Sequence, residues 1–113
     1  MDNHTKPINE KNSMELVPLF ILSLLNSELS STSWKLNIGN YKIGRSSDNI
    51  IILDDITVSR FHAEISISEN SILINDKNST NGTYLNNKII TSSSLNSGDK
   101  IQIGKYLFLL TKV

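Results

Sequence analysis

From residue 34 onward the chain alternates apolar and polar positions with a period close to two. Trp34, Leu36 and Ile38 alternate with Lys35 and Asn37. Ala63, Ile65 and Ile67 alternate with Glu64, Ser66 and Ser68, and Ile72 and Ile74 lead a further segment. This period belongs to strands whose two faces meet different surroundings. Turn residues punctuate the segments: Gly39-Asn40, Glu69-Asn70, Asn86-Asn87, Gly98-Asp99 and Gly104-Lys105. Gly39-Asn40 predicts a turn that returns Tyr41–Ile43 alongside the preceding strand. Ile50–Leu53 is a short unbroken apolar run and predicts a strand buried on both faces. Leu16–Leu25 fits a strand or a helix by periodicity alone. Pro18 disfavours a helix interior there, so the reading is a strand near a sheet edge. Residues 1–13 are polar with isolated apolar positions and read as a flexible tail, leaving 14–113 as one domain. Residues 26–33 read as a serine-rich loop. The whole predicts an all-β, two-sheet sandwich of about ten to eleven short, mostly antiparallel strands.

Composition agrees. Sixteen isoleucines suit strands, and seventeen serines and fourteen asparagines suit turns. A single alanine, Ala63, leaves little material for long helices. The 113 residues hold no cysteine, which excludes a disulfide framework, a thiolate metal site and a cysteine nucleophile. Eleven basic residues balance eleven acidic ones, so neither nucleic acid nor an anionic membrane is an expected partner. The longest apolar stretch, Met14–Leu25, is interrupted and too short to span a bilayer. The expectation is a soluble, cytoplasmic monomer with no cofactor and no metal.

The loops carry the chemistry. Positive charge comes from nine lysines and only two arginines, Arg45 and Arg60. A guanidinium gives two parallel hydrogen bonds to one oxyanion, and an ammonium does not. Both arginines stand at strand–loop junctions beside serines. Spacing alone leaves open that they are ordinary surface residues. Ser59 and Thr80 offer hydroxyls, and Asn81 an amide that both donates and accepts. Each also has a local reason to occupy a turn. Asp54-Asp55 reads as a turn or solvated pair, since adjacent side chains on an extended segment point apart. The histidines, His4 and His62, lie far apart in the chain, which disfavours a shared metal site. A hydrolase built on Ser59 or His62 would need a base and an oxyanion site that the Ser-x-x-His spacing does not supply.

Taken in order, Gly44-Arg45-Ser46, Ser59-Arg60-Phe61-His62 and Ser79-Thr80-Asn81-Gly82-Thr83 resemble the motifs of the forkhead-associated (FHA) domain. The flanking runs Tyr41–Arg45, Asp48–Asp55 and Gly98–Gly104 resemble its connecting strands. The likeness covers about Leu16 to Leu110. It implies a sandwich whose loops at one end bind phosphothreonine in a partner of a Ser/Thr kinase pathway. Phosphoserine would be disfavoured through a small pocket for the γ-methyl. By matching positions, Arg45 would grip the phosphate and Ser59 would give it a hydroxyl. Arg60 would contact phosphate or nearby peptide, Thr80 would help hold the phosphothreonine end, and Asn81 would bond the peptide main chain. Ser46 is a second candidate phosphate donor. Gly44 and Gly82 would keep backbones close and turns tight, and His62 would pin the loops from inside. A scaffold of the same fold that binds its partner without phosphate is the alternative. A phosphorylated Thr5 in the tail, with Ile8 three residues on, could occupy such a site; a plain tail threonine is the simpler reading.

Overall fold

The computed structural model describes residues 19–26 and 32–113. The tail expected over 1–13, the boundary at residue 14, Thr5 and Pro18 lie outside them. Eleven strands form two sheets among the described residues. They are β1 (Phe20–Leu24), β2 (Ser33–Leu36), β3 (Gly39–Gly44), β4 (Ile51–Ile52), β5 (Ala63–Ile67) and β6 (Ile72–Asp76), then β7 (Thr83–Leu85), β8 (Lys88–Ile90), β9 (Ser92–Ser94), β10 (Lys100–Ile103) and β11 (Tyr106–Lys112). One sheet has the order β2-β1-β11-β10-β7-β8 and the other β4-β3-β5-β6-β9. All pairings are antiparallel except that of β3 with β4. The all-β sandwich expected from the alternation is the fold.

The alternation works as a sorting rule. On β5 the residues Ala63, Ile65 and Ile67 are buried while Glu64 and Ser66 between them are only half-buried. Ile43, Ile51, Ile65, Ile74 and their neighbours face Leu22, Leu36, Ile101, Ile103, Phe108 and Leu110 from the opposite sheet in one core. Trp34 tilts against Phe108 with ring centroids 5.8 Å apart. Two of the expected hairpin turns fall where the sequence places them. Asn86 and Asn87 both adopt positive φ (48° and 72°), as the primed two-residue turn requires, and Gly104-Lys105 joins β10 to β11.

Two local expectations are corrected. Gly39-Asn40 does not return the chain beside β2. The chain crosses at Asn37-Ile38 from one sheet to the other, so β2 pairs with β1 and β3 with β4 and β5. Ile38 sits at the crossing and is 58% exposed, because the alternation ends where the chain changes sheet. Ile50–Leu53 is not buried on both faces. Its strand is two residues at a sheet edge, with Ile51 buried and Ile50 and Ile52 exposed. The first strand lies near a sheet edge as expected, one position in from it. It begins at Phe20, beyond Pro18, so its N–H groups pair on both sides, and β2 takes the edge. One strand had no apolar signal: β9 is three serines, held by pairing with β6 and by the buried Leu95 that follows.

The register sets up the loops. Ile43 pairs with Ala63, and Ala63 with Asp76, so the chain after β3, before β5 and after β6 leaves the sheet at one end. Thr83 pairs with Ile103, which brings the Gly104-Lys105 turn to the same end. Phe108→Ala should cost about 3–5 kcal/mol through lost burial and the cavity left behind. Urea denaturation should show this as a lower midpoint.

Candidate functional site

Three loops make the site: 45–50, 53–62 and 77–82. Backbone hydrogen bonds first lock the first two together. Arg45 N donates to Ser59 O (3.0 Å), Ser46 N to Arg60 O (3.2 Å) and His62 N to Ile43 O (2.9 Å). The approach is close enough that a Cβ on Gly44 would run into the Arg60 carbonyl. Asn49 completes the lock. It is 5% exposed, and its Nδ2 donates to Ser46 O (2.9 Å) and Arg60 O (2.7 Å).

His62 ties in the third loop. It is fully buried. Its Nδ1 accepts the Ser59 N–H (3.0 Å), so the ring proton is on Nε2, which donates to Gly82 O (2.8 Å). Gly82 holds φ at +86°, in the left-handed region that a side chain disfavours. Asp76 fixes the rest of that loop. Its carboxylate accepts from Ser79 N (3.0 Å), Ser79 Oγ (2.6 Å) and the buried Thr83 Oγ1 (2.7 Å), and Ser79 Oγ accepts from Gly82 N (3.0 Å). Burial works to raise the Asp76 pKa, but the bonds from Ser79 and Thr83 outweigh it and hold the carboxyl below its ordinary value.

On this frame stand the side chains singled out by sequence. Arg45 is exposed, and its Nε donates to Val58 O (3.0 Å). Among the described residues its two Nη groups have no hydrogen-bond partner. Ser59 Oγ accepts the Thr80 N–H (3.0 Å), which leaves its own proton to donate. Asn81 is exposed and donates Nδ2 to Thr57 O (3.0 Å). Arg45, Ser59, Thr80 and Asn81 are therefore linked through two adjoining loops and the backbone of residues 57–59. Arg60 is exposed beside them and, among the described residues, engaged only through its carbonyl. Ser46 Oγ accepts Asp48 N–H (3.2 Å) and stabilises its own turn.

Several residues went unnoticed in the sequence. Asn49 and Asp76 serve the site from inside, and only the Asp76-x-x-Ser79 spacing hinted at a side-chain-capped turn. Asp54 is exposed. Asp55 accepts from Thr57 N (2.9 Å) and Thr57 Oγ1, and pairs with Lys105 Nζ at 3.1 Å. The Thr57 hydroxyl and amide, with help from Lys105, lower the Asp55 pKa to about 2. Among the described residues there is no group of three or more His, Cys, Asp or Glu placed to hold a metal. No helix there is long and apolar enough to cross a membrane.

The sandwich presents an arginine, two hydroxyl residues and an amide together on the loops at one end. Its family follows from the sequence itself: residues 41–104 match the FHA domain, and the chain belongs to that family. It is 48% identical over 63 residues to the glycogen accumulation regulator GarA of Mycobacterium tuberculosis, a match covering 56% of this chain and 39% of that protein. It is 49% identical over 63 residues to the oxoglutarate dehydrogenase inhibitor of Corynebacterium efficiens, covering 56% and 44%. The match thus spans about two fifths of the length of these curated relatives, which are a regulator and an inhibitor by name. A structure from a study of phosphothreonine-dependent FHA domain interactions superposes with a TM-score of 0.77 at 34% identity, covering 84% of this chain and 97% of that one.

Two predictions come from the frame. Gly44→Ala should lower stability by about 1–3 kcal/mol, because backbone and not a flexible side chain must move aside. Thermal denaturation would show it. Asp55 has a folded pKa below its ordinary 3.8, so its contribution to stability is present above that value and is lost as pH falls toward about 2. Denaturation midpoints measured from about pH 5 down to about pH 2 should fall for the wild type, and less steeply for Asp55→Asn.

Proposed function

We propose that this domain docks partner proteins through a phosphorylated threonine and has no catalytic activity of its own. One observation carries the reading. Arg45 is braced through Nε against the Val58 carbonyl, while its two Nη groups stay available beside the Ser59 hydroxyl loop. That is the half of a guanidinium that meets an oxyanion in a fork. A phosphothreonine brings about −1.5 to −2 charges and three strong acceptors. Arginine-led capture of such groups is the mode general to FHA, SH2 and 14-3-3 modules.

The roles divide as follows. Arg45 supplies the main charge, with Arg60 as the second cation at the rim. Ser59 donates its free hydroxyl proton to a phosphate oxygen. Thr80 steadies the phosphothreonine end, and Asn81 bonds the peptide main chain through Oδ1. Gly44, His62 and Gly82 hold the loops and do not touch the ligand. Membership of the FHA family and the likeness to a domain studied for phosphothreonine-dependent interactions support this assignment. The partner is a substrate of a Ser/Thr kinase. The names of the curated relatives support a regulatory output in which the partner supplies the effector activity. We assign the domain to the cytoplasm, with which its lack of cysteine agrees, and take it to act as a monomer.

Titration with a degenerate phosphothreonine peptide library against its unphosphorylated twin tests the reading. Preference for the phosphorylated set supports it. Equal binding of both sets would instead point to phosphate-independent docking on the same fold. Arg45→Ala should weaken phosphopeptide binding by about 30-fold or more, since a charge-assisted fork is lost. Its melting temperature should change little, because Arg45 is exposed. Arg45→Lys should recover only a small part of the loss, because an ammonium cannot form the fork. Unfolding of Arg45→Ala would sink the assigned role.

A further inference from the structure

Behind Asn81 lies a polar cluster that the phosphate-binding reading does not use. Thr57 is its centre, and each of its polar groups is engaged. Its carbonyl accepts Asn81 Nδ2 (3.0 Å). Its N–H donates to Asp55 Oδ2 (2.9 Å), and its hydroxyl donates to the same oxygen. The hydroxyl also accepts the Lys105 N–H (3.0 Å) across the gap between the sheets. Lys105 Nζ then closes on the other carboxylate oxygen, Asp55 Oδ1, at 3.1 Å. The Lys105 carbonyl accepts from Asn26 Nδ2 (2.7 Å), and Asn26 Oδ1 accepts the Leu107 N–H (3.0 Å). A turn of the six-stranded sheet is thereby fastened to the loop that holds Asn81.

An exposed asparagine on a loop ordinarily samples several side-chain rotations, and fixing one on binding costs entropy. The amide is planar, so holding Nδ2 also fixes where Oδ1 lies. We propose that Asp55, Thr57 and Lys105 are positioning residues for Asn81, forming a clasp between the sheets that presets its amide to receive the main chain of a bound peptide. The proposal rests on the phosphothreonine reading above. None of the three side chains needs to touch the ligand. Asp55 stays ionised, and so able to hold both partners, well into the acid range.

A double-mutant cycle on the 113-residue chain tests it. Binding is read by fluorescence anisotropy with one labelled phosphothreonine peptide, the tightest member of the degenerate library, and with its unphosphorylated twin. Thr57→Val keeps the shape and removes the hydroxyl. It should weaken binding about fivefold and Asn81→Ala about tenfold, while the double variant should be no weaker than Asn81→Ala within about twofold. Thr57→Ser should restore wild-type affinity. Lys105→Gln, at the exposed end of the clasp, repeats the cycle if Thr57→Val does not fold, and should weaken binding about twofold to threefold only while Asn81 is present. Losses that multiply in the double variant, or a Thr57→Val loss that serine does not restore, would overturn the positioning role and leave the phosphothreonine reading standing. A wild-type chain that binds both peptides alike would overturn both.

Discussion

A buried imidazole with both nitrogens satisfied is the constraint on which the loop end of this molecule depends. Loops cannot be held by apolar burial alone, because their backbone carries polar groups that must find partners. His62 meets that demand for two loops at once, accepting from the Ser59 amide and donating to the Gly82 carbonyl. Removing such a bridge would leave a buried donor and a buried acceptor unpaired, which costs more than an ordinary hydrogen bond contributes. The side chains around it inherit their positions. Ser59 stands one bond from the ring, and Asn81 precedes the glycine whose carbonyl the ring holds.

The rest of the frame repeats the same solution with different residues. Asn49 ties loop 45–50 to the Arg60 carbonyl, and Asp76 ties Ser79, Gly82 and Thr83 into one turn through Ser79 Oγ and its own carboxylate. These internal bonds engage polar groups on the inner side of each loop, although the buried Asn49 Oδ1 has no partner among the described residues. The Arg45 fork, the Ser59 proton and the Asn81 Oδ1 are left on the outer side. Preorganisation of this kind favours affinity because little has to be ordered when a ligand arrives.

Charge is handled locally. The chain is neutral overall, so its net charge supplies no long-range attraction for an anion. The nearby carboxylates would repel a phosphate if they stood free. Asp55 is instead engaged by Thr57 and Lys105, and Asp76 by Ser79 and Thr83. Each is thus turned into a structural acceptor, while Asp48 and Asp54 on the same loops stay exposed along with the two arginines.

Alternation of apolar and polar residues by itself determined the strand class, most strand positions and the tight turns, because a half-buried strand writes its two faces into a period of two. The arginine, serine and asparagine motifs were legible too, since a loop held by side-chain hydrogen bonds needs particular residues at particular spacings. Which strands pair was not legible. Asn37-Ile38 reads locally like the approach to a hairpin, and only the packing of two sheets makes it a crossing. The edge position of Ile51-Ile52 and the all-serine β9 were likewise settled by neighbours distant in sequence. The same holds for the contact of Lys105 with Asp55 and Thr57, 50 and 48 residues away. Asp76 meets Ser79 three residues on and left a local trace in that spacing, whereas Asn49 reaches Arg60 11 residues on, and no local pattern records which carbonyl a buried amide will meet once the chain has closed on itself.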